Sequence, residues 1–519
     1  MRFLFQNKIY PLFLSLLFCS QLVAQNNIRV RAVEYDDDKL NSVDSFRLLH
    51  IMIAGNVYQS EQQIKQAFLP GTKKYDFTSE LRYINPVLNI GDVVIANLKT
   101  SFTGDLTSPF SSPDEFALAV KYSGINECVM ANLNTAYIDK KGMLRTKKAL
   151  EVFDVRTTGA FADNLTRMGN FPIIINKKGF KVALLDYANI QNRPSISRDY
   201  LINQIDQTQI ERDMKIARSQ EPDFIIVYLD WGGNFQEYPA YSQENMARFI
   251  LEQGADIVVG TFPNTVQRID LMTYYYKQVE KQGLVCYSLG NLISSSDEDR
   301  TKAGIVMDIE LKKNNFTGEC HLGDYGFIPT WNYYDTVSSK KKLYVLPIAA
   351  VEQGEIFANI PAVEKKKMTT QVYDMRKMLG RASDEIQYNL SEIVVKNVEE
   401  TVELTNSPLN NRFNPFDERN VKKSAAPTAK ASVAVVHDTV YHIQFYELKK
   451  VIPIDTSYYD HLKGYEIVQE EGNYRYLIGA STDLEKVKEL FSRVIKPRYK
   501  ESFIVAYFEG RRVRKVSIK

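Results

Sequence analysis

The stretch FIIVYLDWGG, at residues 224–233, decides the fold of this chain. Its apolar part, 224–229, predicts a buried strand, and that strand ends abruptly at Asp230. Gly232 and Gly233 follow directly and allow a tight turn. In an open α/β sheet the ligand cleft lies beyond the carboxyl ends of the strands, so Asp230 is expected to point into such a cleft.

Five further short apolar runs end in the same way, at an asparagine. They are 48–53 before Asn56, 93–96 before Asn97, 128–131 before Asn132 and Asn134, 257–259 before Asn264, and 284–286 before Asn291. Together with Asp230 these ends predict a shared rim of polar side chains at one edge of a sheet. No histidine stands at any of them.

Helical patterns separate these runs. Residues 244–252 place Met246, Phe249 and Ile250 on one face, and Gly254 stops the helix before the next strand. This alternation predicts an α/β domain over residues 45–350, with parallel pairing in part of its sheet.

The N-terminus has the pattern of an export signal. Arg2 and Lys8 precede a short apolar segment, 11–18, and a small residue allows cleavage after residue 24. A lipid anchor at Cys19 is the alternative, although the bulky Phe18 fits it poorly. No later run reaches the ~20 apolar residues of a spanning helix, so no transmembrane segment is predicted. The net charge of +2 over 519 residues indicates no nucleic-acid partner.

Three more segments follow the α/β domain. Residues 361–400 are charged and predict a helical segment, and residues 401–435, rich in Asn, Pro, Ser, Ala and Lys, predict a flexible linker. A small unit at 437–519 has predicted strands at 440–446, 474–479 and 502–508 and a helix at 484–495.

The rim motifs carry a family resemblance. Asp230-Trp231-Gly232, the stretch GADIVVG at 254–260 and YSLGN at 287–291 resemble the bacterial capsule synthesis CapA family, over roughly residues 45–350. That family is similar in fold to the calcineurin-like metallophosphatases. The resemblance therefore implies a layered β-sheet core flanked by helices, with a metal centre at the rim.

The residues expected to bind that metal differ here. The family's Gly-Asp is Gly55-Asn56, its Asn-Leu-Glu ends at Lys99, and its Asn-Asn-His ends at Asn134. Its His-Trp-Gly begins at Asp230, and its Gly-His-His/Asn-Pro-His ends at Asn264. Neutral amide oxygens are weak ligands for transition metals, so we expect no metal cofactor and an inactive site, that of a pseudoenzyme.

The candidate pocket consists of the rim residues, with no catalytic role assigned to any of them. They are Asn56, Asn97, Asn132, Asn134, Asp230, Asn264 and Asn291. The alternative is structural: asparagines at strand ends often cap the following turn, and Asp230 can line the cleft with a satisfied hydrogen bond.

The C-terminal unit resembles the SPOR family, in the form found in envelope proteins of Bacteroidetes. The matching stretches are YHIQ at 441–444, YRYLIG at 474–479 and FIVAY at 503–507. The resemblance implies a small α+β, RNP-like domain that binds peptidoglycan through the exposed face of its sheet. Gln444, Tyr476 and Tyr507 are the candidates for that face, although alternate strand aromatics are also typical of a core.

Together these features predict an exported, cell-wall-associated periplasmic protein. It would act in cell envelope or capsule (polysaccharide or polyglutamate) assembly, tethered to peptidoglycan, with a glycan or an envelope protein as a further partner. One alternative is an active envelope hydrolase or transferase rebuilt around Asp230. The other is a structural partner of an envelope complex.

Overall fold

The computed structural model describes residues 28–31, 45–190, 200–335, 342–357, 360–380, 382–388, 439–448, 464–470, 473–497, 499, 502–508 and 511–516. The predicted signal peptide, the predicted linker at 401–435 and residues 389–400 of the predicted helical segment lie outside the described residues.

The strands, in chain order, are β1 (Ile28–Arg31), β2 (Phe46–Val57), β3 (Phe68–Leu69), β4 (Lys74–Tyr75), β5 (Val93–Leu98), β6 (Glu127–Val129), β7 (Arg156–Thr158), β8 (Ala160–Phe161), β9 (Ile173–Lys177), β10 (Phe180–Ala188), β11 (Leu201–Ile202), β12 (Phe224–Asp230), β13 (Ile257–Gly260), β14 (Ile269–Tyr276), β15 (Val279–Cys286), β16 (Asn291–Ile293), β17 (Ala303–Asn314), β18 (Cys320–Asp335), β19 (Lys342–Pro347), β20 (Asp384–Tyr388), β21 (Val440–Leu448), β22 (Glu466–Glu470), β23 (Asn473–Ser481), β24 (Phe503–Phe508) and β25 (Arg511–Val516).

The helices are α1 (Glu61–Ala67), α2 (Thr78–Leu81), α3 (Asn85–Leu88), α4 (Glu115–Tyr122), α5 (Lys140–Glu151), α6 (Asn164–Asn170), α7 (Gln207–Ser219), α8 (Tyr241–Glu252), α9 (Asp299–Lys302), α10 (Ile348–Glu352), α11 (Ala362–Leu379) and α12 (Leu484–Leu490). None of the described helices is long and apolar enough to cross a membrane.

Two large sheets form the centre of the α/β domain. The ten-stranded sheet has the order β1-β20-β18-β17-β2-β5-β6-β7, with β16 beside β2 and β19 beside β18. The six-stranded sheet has the order β14-β15-β13-β12-β10-β9. The neighbours β2, β5, β6 and β7 run parallel, as do β10, β12, β13 and β15. The predicted partly parallel α/β domain is confirmed.

Side-chain alternation along the strands produces four layers. In β2, Ile51 and Ile53 belong to a core shared with Ile226 and Tyr228 of β12, so the two sheets pack face to face. The alternate residue Met52 faces a second core with residues of α2 and α4. On the far side, alternate residues of β12 pack with those of α7 and α8. The order is therefore helices, sheet, sheet, helices, which is the layered core that was predicted.

Residues 361–400 are helical only in part. Helix α11 is as predicted, and its buried face, with Met368 and Met375, packs into the core between the sheets. Residues 384–388 are wrongly predicted, because they form strand β20, which pairs with β18 and β1 in the ten-stranded sheet. Buried Ile386 and Tyr388 explain this, since a core-facing alternation outweighs the charged composition of the segment.

The C-terminal unit contains the strands that were predicted and two more, β22 and β25. They form a five-stranded antiparallel sheet in the order β22-β23-β21-β24-β25. Helix α12 begins one residue after Asp483, whose carboxylate accepts from the amides of Glu485 and Lys486. Val487 and Phe491 of this helical segment pack against one face of the sheet.

Candidate functional site

The predicted rim residues come together at the carboxyl ends of the two central sheets. Asn56 near the end of β2 lies in register with Asn97 of β5 on one side and with Asn291 of β16 on the other. Asp230 is the last residue of β12, which lies in the facing sheet. Parallel pairing brings these strand ends to one edge, as the spacing of the motifs predicts.

The side-chain amides form a directional chain of hydrogen bonds. Asn132 Nδ2 donates to Asn97 Oδ1 at 2.9 Å, and Asn97 Nδ2 donates to Asn56 Oδ1 at 2.9 Å. Asn56 Nδ2 then donates to both Asn264 Oδ1 and Asn291 Oδ1, each at 2.9 Å. We call these five asparagines the amide cluster. A chain in which each group donates and accepts polarises its members, so it resists rearrangement.

Both ends of the chain are also tied to the surrounding structure. Asn132 Oδ1 accepts from the Thr135 amide at 3.0 Å, and Asn291 Nδ2 donates to the Thr301 carbonyl at 3.1 Å. Asn56, Asn97 and Asn132 are completely buried, and only Asn264 is half-buried. The cluster is thus a closed network, with Asn264 as its outer end.

A buried ion pair lies beside the amide cluster. Lys99 Nζ is 3.1 Å from Asp230 Oδ2, and the two side chains are 5% and 2% exposed. The ammonium also lies 4.8 Å from the centre of the Phe262 ring. Asn97 connects the pair to the cluster, since its Nδ2 donates to Thr261 Oγ1 at 3.0 Å and lies 3.4 Å from Asp230 Oδ2.

Lys99 and Thr261 are the site residues that sequence reasoning left out of the candidate pocket. Lys99 leaves the same strand end as Asn97, two positions further on. The sequence did contain an indication of a cationic partner. Asp230 is the only carboxylate among the rim candidates, and a buried carboxylate needs a cation or several hydrogen-bond donors.

Asn134 is adjacent to the cluster but is not a member of it. It is half-buried, and its Nδ2 donates to the Lys99 carbonyl at 2.8 Å. This is a role in holding the loop, as the structural alternative predicted for rim asparagines.

Asp186, in β10, positions the loop that leads to the cluster and was not predicted. Its Oδ2 accepts from the amides of Met130 and Ala131, at 3.1 and 2.9 Å. Burial raises the pKa of Asp186 to about 6, while these backbone hydrogen bonds and nearby Lys147 act in the opposite direction. Burial in turn lowers the pKa of Lys147 to about 8.

The rim glycines have different tasks. Gly290 adopts φ +68°, a left-handed conformation that favours glycine and allows the turn in YSLGN. Gly260 has a different role and does not adopt a left-handed conformation. A Cβ placed on it would lie 2.0 Å from the Tyr287 carbonyl oxygen and 2.2 Å from Trp231 Nε1, so the residue permits a close approach. Trp231 Nε1 uses that space to donate to the Tyr287 carbonyl at 3.0 Å.

These donors do not fit a divalent metal ion. The oxygen atoms of Asn56, Asn97 and Asn132 already accept hydrogen bonds, and the single carboxylate is paired with an ammonium. Within the described ranges, no group of three His, Cys, Asp or Glu residues could hold a metal. Without added ligands the site offers neither the charge nor the free lone pairs that such an ion requires.

Comparison with known proteins assigns the domain that carries this site. Residues 50–296 match the family model described as bacterial capsule synthesis protein PGA_cap. This domain belongs to the PGA_cap family. It runs from within β2 to beyond β16 and contains the whole amide cluster, together with Lys99 and Asp230. The resemblance to the capsule synthesis family is thereby confirmed.

Two curated proteins are similar to this chain. The capsule biosynthesis protein CapA of Bacillus anthracis is 27% identical over 261 residues, which are 46% of this chain and 60% of that protein. The PGA biosynthesis protein CapA of Bacillus subtilis (strain 168) is 30% identical over 92 residues, which are 18% of this chain and 22% of that protein. The chain therefore spans less than two thirds of each of these relatives.

Among solved structures, the calcineurin-like phosphoesterase YfkN from Bacillus subtilis is similar at 11% identity and a TM-score of 0.31. The match covers 63% of this chain and 99% of that one.

The three candidate residues of the C-terminal sheet do not share a face. Tyr476 is buried against Phe445 and Tyr465 on the side of α12, so it does not lie on the face that was predicted for it. Tyr507 packs on the opposite face with Leu477 and Val505.

Gln444 lies on the same face as Tyr507, since it is in register with Leu477 and Phe503. Buried His442 joins them, with its ring centre 5.3 Å from that of Tyr507. We call these three residues the open-face triad, after the sheet face opposite α12, although all three side chains are buried.

Three buried atoms of the triad make no hydrogen bond to the residues that the structure describes. They are His442 Nε2, Gln444 Oε1 and the Tyr507 hydroxyl. Burial lowers the pKa of His442, with the Glu466 carboxylate acting against it. Burial also raises the pKa of Tyr507, and the nearby Glu470 adds to that rise. All three side chains are therefore neutral at pH 7, which suits a ligand of hydroxyl and amide groups.

An open groove of about 760 Å³ lies elsewhere, between α8 and β14. Tyr241, Arg248, Arg268 and Tyr287 contribute to its wall. Arg268 is already held by Glu244 at 2.8 Å and by Asp270 at 3.0 Å. No residue of the amide cluster lines this groove.

Proposed function

We propose that this chain is an exported envelope protein that acts in capsule or envelope assembly, on polysaccharide or polyglutamate, by binding and not by metal-dependent hydrolysis. Its PGA_cap domain and its similarity to a capsule biosynthesis protein and a PGA biosynthesis protein support the assembly role. The C-terminal unit tethers the protein to peptidoglycan in the periplasm.

The observation that argues against metal-dependent hydrolysis is the state of the site's oxygen atoms. Metal-assisted hydrolysis requires an ion with an open position for water. Here the amide oxygens accept hydrogen bonds from one another, and Asp230 is bound to Lys99. The same contacts weigh against a hydrolase or transferase rebuilt around Asp230, because a carboxylate held by an ammonium is a poor general base.

The tether rests on the open-face triad. Within the described part of the chain, His442 Nε2 and Gln444 Oε1 are buried without partners, and an unmade hydrogen bond at a buried atom is costly. A glycan strand carries many hydroxyl and amide groups that can satisfy such atoms.

A sacculus pull-down with the full mature chain tests the tether. Gln444→Ala removes the amide from the open face. Gln469→Ala is the matched control, because Gln469 lies exposed on β22 of the same sheet, in register with Tyr474. We expect wild type and Gln469→Ala to bind sacculi alike and Gln444→Ala to bind about five- to tenfold more weakly, as for one or two lost hydrogen bonds.

Equal binding by all three proteins would remove Gln444 from the contact, and absence of binding by wild type would remove the tether. Cell fractionation tests the export step independently. The mature chain is expected in the periplasmic fraction, attached to the cell wall, and recovery in the cytoplasm would contradict the proposal.

A further inference from the structure

The carboxylate of Asp230 is buried, and its negative charge is compensated by another side chain of the same protein. Its carboxylate is 2% exposed at the junction of the two sheets. An ionised carboxylate in such a place is stable only beside a cation or several donors. Among the described residues, Lys99 is the cation that pairs with it, at 3.1 Å.

Lys99 is itself held from several directions. Its ammonium lies over the Phe262 ring at 4.8 Å, and its backbone carbonyl accepts from Asn134 Nδ2 at 2.8 Å. Its stem is buried, with the side chain 5% exposed. A lysine that reaches inward to this degree is a built part of the site and not a solvated surface charge.

We propose that Lys99 is the resident cation of this site and occupies the role that a divalent ion would take beside Asp230. The ammonium neutralises the carboxylate, and Asn97 links the neutralised pair to the amide cluster. Lys99 is thus a positioning residue. It holds the strand ends together and keeps metal ions out, because an incoming ion would meet a fixed positive charge.

This assignment predicts which change would open the site to metal. Glutamate at position 99 would replace the ammonium with a second carboxylate beside Asp230. Thr261 Oγ1, which lies 3.0 Å from Asn97 Nδ2, and water molecules would complete a set made only of oxygen atoms. Oxygen sets favour Mn²⁺, Mg²⁺ and Ca²⁺, whereas Zn²⁺ prefers imidazole and thiolate.

The test compares wild type, Lys99→Glu and Lys99→Met, each purified as the full mature chain. Lys99→Met is the matched control, because it removes the charge and keeps most of the stem. After incubation with MnCl2 and desalting, we expect about one bound Mn²⁺ per chain in Lys99→Glu and none in the other two. The melting temperature of Lys99→Glu alone should rise with MnCl2.

Uptake of Mn²⁺ by wild type to the level of Lys99→Glu would overturn the proposal. So would a folded Lys99→Glu, judged by near-UV circular dichroism, that takes up none. If Lys99→Glu fails to fold without metal, it is refolded in MnCl2 or in EDTA. Refolding in MnCl2 but not in EDTA supports the proposal. If the variant refolds in neither, the second set of variants, which needs no metal, decides the question.

A second set of variants decides the question without metal. They are Lys99→Met, Asp230→Asn and the double variant. If Lys99 is the resident cation, removing one partner leaves an uncompensated buried group. The double variant should therefore melt at a higher temperature than Lys99→Met, in which the Asp230 carboxylate is left without its cation. Additive losses in the three variants would overturn the proposal. Neither test measures sacculus binding, so the outcome for Lys99 is independent of whether the C-terminal unit binds peptidoglycan.

Discussion

The amide cluster and the open-face triad are both buried polar regions, and they differ in how completely their atoms are paired. In the amide cluster, each side-chain oxygen of Asn56, Asn97 and Asn132 accepts a hydrogen bond. In the triad, His442 Nε2 and Gln444 Oε1 have no partner among the described residues. Both regions lie at β-sheets, yet one is internally complete and the other is not.

The difference separates structural from ligand-binding use of the same chemistry. A network that satisfies itself contributes to stability and offers little to a ligand, because any new hydrogen bond must displace an old one. A buried atom without a partner stores the cost of an unmade bond, which a ligand can recover. The rim of the PGA_cap domain is the first kind, and we propose that the C-terminal sheet is the second.

The largest expected effect is that of breaking the cluster at its centre. Asn97→Leu keeps the branched shape of the side chain, but it removes the partner of Asn56 Oδ1 and of Thr261 Oγ1 and one of the two acceptors of Asn132 Nδ2. Since each buried group left unpaired costs about 1–3 kcal/mol, we expect a loss of about 4 kcal/mol in the free energy of unfolding by urea. The control is Asn245→Leu, at an exposed position of α8, which should change the free energy of unfolding little. Similar losses in both variants would contradict the structural role of the cluster.

The next effect is a pH dependence from Asp186, which holds the loop beside the cluster. Its pKa rises on folding to about 6 from the model-peptide value of 3.8, so between these values the folded state binds the proton more tightly than the unfolded chain. The stability of wild type should therefore fall as pH rises from about 4 to 6. The size is on the order of 3 kcal/mol, relative to Asp186→Asn.

Urea unfolding of both proteins at pH 4.5 and 7.5 measures this difference. Asp186→Asn removes the titrating group while an amide oxygen can still accept from the loop. If the difference in the free energy of unfolding between wild type and Asp186→Asn is the same at both pH values, the pKa of Asp186 is not raised by burial.

A smaller effect is expected at the outer end of the cluster. Asn264 is half-buried, accepts from Asn56 and donates to Asn234 at 2.7 Å. Water can replace part of what Asn264→Ala removes, so we expect a loss of about 1–1.5 kcal/mol. A loss equal to that of Asn97→Leu would mean that the contribution of each asparagine to stability does not depend on its burial.

The smallest effect sharpens the comparison from the other side. Among the described residues, Gln444 Oε1 has no partner, and Gln444 Nε2 donates to the exposed Glu447 at 3.0 Å. Gln444→Leu should therefore change the free energy of unfolding by less than about 1 kcal/mol while it weakens sacculus binding. A large loss of stability would place Gln444 with the structural amides.

The meeting of the rim residues could be predicted from the sequence, because each ends a short apolar run and parallel strands bring their ends together. Their pairing could not. Whether Asn97 faces solvent or Asn56 depends on the register between β2 and β5, which no local pattern encodes. Lys99 and Asp186 were missed for the same reason, since each acts on residues at least 55 positions away.

The C-terminal sheet shows a second limit of the sequence. Strand alternation correctly indicated that Tyr476 and Tyr507 lie on strands, but the face of each depends on where α12 packs. Likewise β20 was hidden in a charged segment, because its pairing partners β18 and β1 are remote in the chain.

The central claim is that the strand-end site of this PGA_cap domain is an amide and ammonium cluster and not a metal centre. Metal analysis of the purified wild-type chain, grown and incubated with Mn²⁺, Fe²⁺ and Zn²⁺ and then desalted, tests it most directly. The account predicts no stoichiometric metal and no phosphoesterase turnover. One or more tightly bound ions per chain, together with turnover that Asp230→Ala abolishes, would contradict it.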